Sequence, residues 1–100
     1  MPSLAAYINA PPARFSHYGG YYTMTGENWP LIGPLGVDGA FTVSALSGFG
    51  SMAACAAGWT CAAWASAAEL PSYARDLSLA RYADAQRIEA LRERANKGLL

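Results

Sequence analysis

Large aliphatic side chains are scarce in this chain. Of its 100 residues, Leu, Ile, Val and Phe number 10, 3, 2 and 3, whereas Ala alone supplies 21 of those behind a hydrophobic fraction of 53%. Little bulk is left for a core, and a chain this short already buries proportionally less surface than a longer one. An excess of either charge is also missing, because seven basic and seven acidic residues cancel. No basic stripe interleaved with aromatics occurs, so nucleic acid is not an expected partner. The neutral balance and an aromatic content of 12% argue against disorder. A chain that is neither disordered nor rich enough to pack comfortably alone is expected to belong to something larger, with a marginal autonomous domain as the plainer alternative.

Cysteine and histidine are equally sparse. Cys55 and Cys61 stand six residues apart within a predicted helix, a rise of about 9 Å and a turn of about 600°, so their thiols cannot bridge and read as small packing residues. One histidine, His17, and no clustered ligand spacing leave no expected metal site. The missing disulfide framework suits a reducing, cytoplasmic compartment, and no basic segment followed by a cleavable apolar stretch opens the chain. Charge is absent from Gly39 to Ala68, a stretch long enough to cross a bilayer. It is mostly Ala, Gly, Ser and Thr, however, and Asp38 and Glu69 flank it without Lys/Arg asymmetry. A buried strand followed by a buried helix is therefore expected, with no membrane span.

Proline and glycine punctuate the remainder. Residues 2–9 read as a short helix ended by Ala10-Pro11-Pro12. Residues 15–25, dense in Tyr and Thr, read as a strand interrupted by Gly19-Gly20. Gly26 to Pro30 is a turn, 31–33 a short strand, 34–39 a turn closed by Asp38-Gly39, and 40–46 a third strand. A helix follows over roughly 51–68, stopped by Leu70-Pro71, with a small-residue seam at Ala54, Gly58, Cys61 and Ala65 that lets a neighbour approach closely. Asp84 can cap a last helix to about Lys97, with Ile88, Leu91 and Ala95 on one side.

The most informative segment is Ser47-Gly48-Phe49-Gly50-Ser51-Met52-Ala53, which joins the third strand to the long helix. Glycine lets backbone approach a ligand without an intervening Cβ, and the first helical turn offers unpartnered N–H groups at the positive end of the macrodipole. An electron-rich ligand is expected there; the plainer reading is a loop shaped only for close packing of helix on strand. Gly48-x-Gly50-x-x-Ala53 also matches the dinucleotide fingerprint. A Rossmann unit needs a second parallel strand ending in an acidic residue, and Glu69-Leu70-Pro71-Ser72-Tyr73 is no such strand.

Three blocks carry a resemblance: Tyr22-Thr23-Met24-Thr25; Glu27-Asn28-x-Pro30-Leu31-Ile32-Gly33; and Leu46-Ser47-Gly48-Phe49-Gly50 with its small-residue helix containing Gly58. In order and spacing, over roughly residues 2–82, they resemble the C-terminal part of the FAD-dependent amine oxidoreductases related to D-amino-acid oxidase, glycine oxidase and sarcosine oxidase. Such proteins are three to four times longer, and their N-terminal region carries the GxGxxG loop for the FAD pyrophosphate, which has no equivalent here. The resemblance implies an α+β fragment spanning residues 1–100 as one partial domain: strands of the substrate-domain sheet, the Gly-rich loop, a long buried Ala-rich helix, and a C-terminal helical tail over 83–100. It implies that Ser47, Gly48, Phe49, Gly50, Ser51 and Met52 contact the flavin, and that Tyr22 and Leu46 lie beside the substrate, a small amine or amino acid giving up a hydride. The partner it implies is a longer chain or segment bearing the nucleotide-binding domain.

Departures from the family bear on substrate and cofactor. The Arg that clamps a carboxylate near Tyr22 in amino-acid and glycine oxidases, and the Lys of similar use near Met52 in sarcosine oxidases, are both missing. Either the clamp comes from other polypeptide or the substrate differs. Gly20 stands where some relatives attach FAD to a Cys, so the flavin is expected to be non-covalent. Tyr22 reads equally as a substrate hydrogen-bonder or as packing, and His17 as a base is weaker than His17 as an ordinary surface or core residue. The alternative from another class is a small non-enzymatic interaction or membrane-associated protein whose Ala/Gly-rich helix is a contact surface.

Overall fold

The few β-branched residues of the chain concentrate around residues 31–44, and there its strands form. The computed structural model describes residue 16 and residues 18–99. Strand β1 (Leu31–Pro34) pairs antiparallel with β2 (Phe41–Ser44), in the register Leu31 with Ser44, Ile32 with Val43, Gly33 with Thr42 and Pro34 with Phe41. The connection closes through Leu35 N–H to Ala40 O at 2.9 Å and Ala40 N–H to Val37 O at 3.1 Å, with Gly39 at φ +73°. That positive φ is why Asp38-Gly39 is a turn sequence.

A 3-10 turn over Ser47–Phe49 delivers helix α1 (Gly50–Ala65), which packs across both strands. The helix stops at Ala65, short of the expected end near residue 68. Ala67 adopts φ +54°, and the Ala68 N–H returns to Ala63 O at 3.0 Å, a left-handed closure that satisfies terminal carbonyls without a glycine. Two short turns follow, α2 (Ala74–Leu77) and a 3-10 segment at Leu79–Ala83, neither visible as a hydrophobic period. Helix α3 (Ala85–Arg94) starts as expected: Asp84 Oδ1 accepts from the Arg87 N–H at 3.1 Å. Leu91 is buried and Ile88 and Ala95 half-buried, while a π-helical turn at Ala95–Leu99 continues the chain.

Two expectations change. Among the described residues the Tyr/Thr-rich run carries no strand: residues 18–25 are irregular, with Tyr18 and Tyr21 fully solvent-exposed. Strand propensity is realised only against a partner ladder, and the described backbone bonds from this run are Ser47 N–H to Thr23 O at 3.3 Å and the local turn bond of Asn28 N–H to Thr25 O at 3.0 Å. The long helix, expected to be buried, is buried on one side only. Ala57, Thr60 and Ala63 are covered, whereas nine of its sixteen residues are exposed, including Met52, Trp59 and the seam residues Ala54, Gly58 and Ala65. The expected helix over 2–9, with Phe15 and His17, lies outside the described residues.

What joins the halves is a buried ion pair. Arg81, completely buried, bridges to Glu27, and its guanidinium donates to Glu27 Oε1 (2.7 Å), the carbonyls of Pro30 (2.6 Å), Asp76 (3.0 Å) and Trp29 (3.1 Å), and the Tyr82 hydroxyl (3.3 Å). Tyr82 donates its own O–H to Glu27 Oε1 at 2.8 Å. Trp29 adds a second tie, its indole N–H donating to Leu91 O of α3 at 3.0 Å. Burial opposes ionisation of Glu27, but the Tyr82 hydroxyl, a backbone N–H and Arg81 outweigh it and hold the carboxyl below its ordinary 4.5. Burial, then the Glu27 hydrogen bond, raises the Tyr82 phenol above 10.0.

Arg81→Met leaves Glu27 buried without its cation and is expected to lower the unfolding free energy by about 3–5 kcal/mol, most of it recovered in Arg81→Met/Glu27→Leu. Chemical denaturation of both variants checks this; equal losses in the two would contradict it. Because the Glu27 carboxyl is more acidic folded than unfolded, its contribution is complete above the ordinary glutamate value and disappears as pH falls through the folded one. Midpoints recorded from neutral to acid pH should therefore fall less steeply for Glu27→Gln than for the parent chain.

Candidate functional site

The glycine loop is assembled from three stretches of sequence. Its own residues turn twice: Ala45 (φ +56°) and Ser47 (φ +52°) take left-handed backbone conformations, before the 3-10 turn feeds α1. Opposite them Asn28, also left-handed at φ +56°, closes a turn with its N–H on Thr25 O at 3.0 Å. Thr25 secures that turn from both sides, its hydroxyl donating to Trp29 O (2.7 Å) and accepting the Trp29 N–H (3.0 Å). Non-glycine residues held at positive φ each cost about 1–2 kcal/mol, so three around one loop mean that the surrounding bonds determine its shape.

Between these turns lies an apolar cavity of about 130 Å³, walled by Pro30, Leu46, Phe49 and Ala53 with Asn28 and Ser47 as its polar side chains. A second apolar cavity of about 120 Å³ shares Pro30, Leu46 and Ala53 with it and continues beneath α1 toward Ile32 and Thr60. On the loop's other side the exposed ring of Tyr22 packs against Gly48, where an added Cβ would sit 3.4 Å from Tyr22 Cζ.

The sequence-predicted residues thus come together. Leu46, Ser47 and Phe49 line the cavity, Tyr22 covers Gly48, and Gly50, Ser51 and Met52 form the first turn of α1. Two loop amides are already satisfied internally: Ser47 N–H by Thr23 O at 3.3 Å and Phe49 N–H by Leu46 O at 3.0 Å. Among the described residues no side chain caps α1; Ser51 and Met52 are exposed, and the 3-10 turn over Ser47–Phe49 runs directly into its first turn. Cys55 is exposed and Cys61 half-buried, both free.

The glycines divide by what surrounds them. Gly33 is required by the chain itself: it sits at φ +143°, and an added Cβ would approach Trp64 Nε1 to 3.1 Å. Trp64 Nε1, in turn, is a buried donor without a partner among the described residues. Gly50, by contrast, has ordinary helical backbone and nothing within 4 Å of an added Cβ. Internal packing gives no reason for glycine there, although glycine in a helix costs about 0.5–1 kcal/mol relative to alanine.

Sequence reasoning missed Asn28, Pro30 and Ala53 as walls and Arg81 as the residue that holds the Pro30 carbonyl. Asn28 and Pro30 already stood in the Glu27–Gly33 block; Arg81 carried no signal, because its partners Glu27 and Pro30 lie more than fifty positions away. Among the described residues no group of three or more His, Cys, Asp or Glu is placed to hold a metal ion, and no helix is long and apolar enough to cross a membrane.

Gly50→Ala is expected to leave thermal stability of the chain unchanged or raise it slightly, whereas Gly33→Ala lowers it by more than about 1 kcal/mol. Paired melting curves decide this, and a matching loss at Gly50 would show that the loop glycine serves internal packing after all. Comparison with family models, curated proteins and solved structures finds no match for this chain.

Proposed function

We propose that this chain completes the flavin and substrate site of an FAD-dependent oxidoreductase that oxidises a small amine or amino acid, a longer chain or segment supplying the nucleotide-binding domain. One observation carries the reading. The three sequence blocks that resemble the amine oxidoreductases, separated along the chain, meet around a single loop and cavity: Tyr22 on Gly48, and Asn28 and Pro30 opposite Leu46, Ser47 and Phe49.

Bound FAD supplies the hydride acceptor. The start of α1, at the positive end of its macrodipole, is suited to hold negative charge on the pyrimidine edge of the ring. Gly50, with open space where a Cβ would stand, admits a planar group close to the backbone, Tyr22 covers Gly48, and substrate would lie beside Tyr22 and Leu46. Both cysteines lie within α1, so the flavin is held non-covalently. A cytoplasmic location accompanies this reading.

The partner polypeptide is supported by what the chain leaves uncovered. The radius of gyration, 18.7 Å, well exceeds the about 13 Å of a compact domain of 100 residues. The charge-free outer face of α1, with Met52 and Trp59 exposed, also favours a second reading, a non-enzymatic protein that uses this helix as its contact surface. Detergent partitioning without flavin distinguishes that reading.

In the complex with its flavin-bearing polypeptide, Gly48→Val and Gly50→Val are expected to lose FAD or to slow anaerobic flavin reduction about 10²-fold, the effect of displacing a reacting group by about 1 Å. Flavin content comes from the absorbance spectrum and reduction from stopped flow. Parental values for both variants would contradict the proposal.

A further inference from the structure

The apolar cavity between the Asn28–Pro30 turn and the loop is larger than a packing fault in so small a core needs to be. We propose that it is a binding pocket for an uncharged, apolar group up to the size of a benzene ring. Its volume, about 130 Å³, approaches the about 150 Å³ of apolar protein cavities that take up benzene, and unlike them it is open to solvent on one side, which gives a ligand a way in. Five of its lining residues, Pro30, Ala45, Leu46, Phe49 and Ala53, are apolar, and among the described residues no charged side chain lines it. A carboxylate or ammonium group would enter without a partner.

The cavity is also held open. A void walled by mobile side chains shrinks as its surroundings relax. Here the turns that carry the walls are fixed from outside: Arg81 grips the carbonyls of Trp29 and Pro30, Thr25 grips both sides of Trp29, and Asn28, Ala45 and Ser47 are locked at positive φ. Asn28 and Ser47 also line the space, but nearly all of its surface is apolar, so the polar end of a molecule whose apolar end is inside would stay outside it. That this molecule is the amine or amino-acid substrate, carrying an aromatic or branched aliphatic side chain, rests on the function proposed above. That the pocket takes an apolar group does not.

The test uses the full chain together with whatever polypeptide accompanies it in purification, and fluorobenzene as probe, followed by ¹⁹F NMR line broadening. Saturable binding is expected, weakened about tenfold or more by Ala53→Phe, which fills the pocket. Leu46→Ala, which removes the side chain shared by the two cavities, should instead admit 1-fluoronaphthalene, excluded from the parent. No saturable fluorobenzene binding, or binding unaffected by Ala53→Phe in a variant that retains its circular dichroism, overturns the assignment. Should Ala53→Phe not fold, exclusion of 1-fluoronaphthalene by Leu46→Ala overturns it equally. Because the readout needs no flavin, probe binding by a colourless preparation keeps the pocket and removes the oxidoreductase. A yellow preparation that binds no probe does the reverse.

Discussion

A single buried guanidinium organises this chain. Arg81 has no access to solvent and spends its donors on Glu27, Tyr82 and three backbone carbonyls. Burying a cation costs several kcal/mol unless each N–H finds an acceptor, and the cost is met here by drawing the 27–30 turn onto the 76–82 segment. Among the described residues the apolar core has six well-buried members, four of them alanines, and lacks the bulk to impose that arrangement. Electrostatics fixes what hydrophobic packing leaves loose, and the fixed turn becomes one wall of the loop cavity.

That division of labour explains the contrast between the two sides of the molecule. Toward Arg81 the backbone is tied by specific bonds. Toward solvent, α1 shows a helical face with neither charge nor cover among the described residues, and the Tyr-rich run is exposed at 18–21, while Tyr22 packs on Gly48, the Thr23 carbonyl accepts from Ser47 and Thr25 is bound into the turn at Asn28 and Trp29. Surfaces of this composition are ordinarily buried against other polypeptide. The chain resembles one face of a site whose other face is supplied from elsewhere, which is why function is proposed for an assembly.

How far the sequence foretold this varies element by element. The hairpin was legible because Asp38-Gly39 demands a turn and Phe41-Thr42-Val43 prefers strand; α3 was legible because Asp84 caps it and Leu91 marks its inner face. Both are local signals. The run from Tyr18 to Thr25 misled because propensity says nothing about whether a partner strand exists. Burial of α1 was overstated because absence of charge marks a face that can be covered, not one that is. The candidate loop was found through its glycines, yet its opposite wall and the Arg81 hub escaped notice, since pairings across fifty residues leave no periodicity to read.

In the assembly proposed here, the Gly-rich loop at residues 47–52 lies against a flavin whose remaining contacts belong to other polypeptide. Native mass spectrometry of the complex purified through this chain tests it most directly. The account predicts a species containing the 10.5 kDa chain, a longer polypeptide and one FAD per chain, the flavin released on acid denaturation. A species made only of this chain, or a complex with a longer polypeptide that contains no FAD, would contradict it.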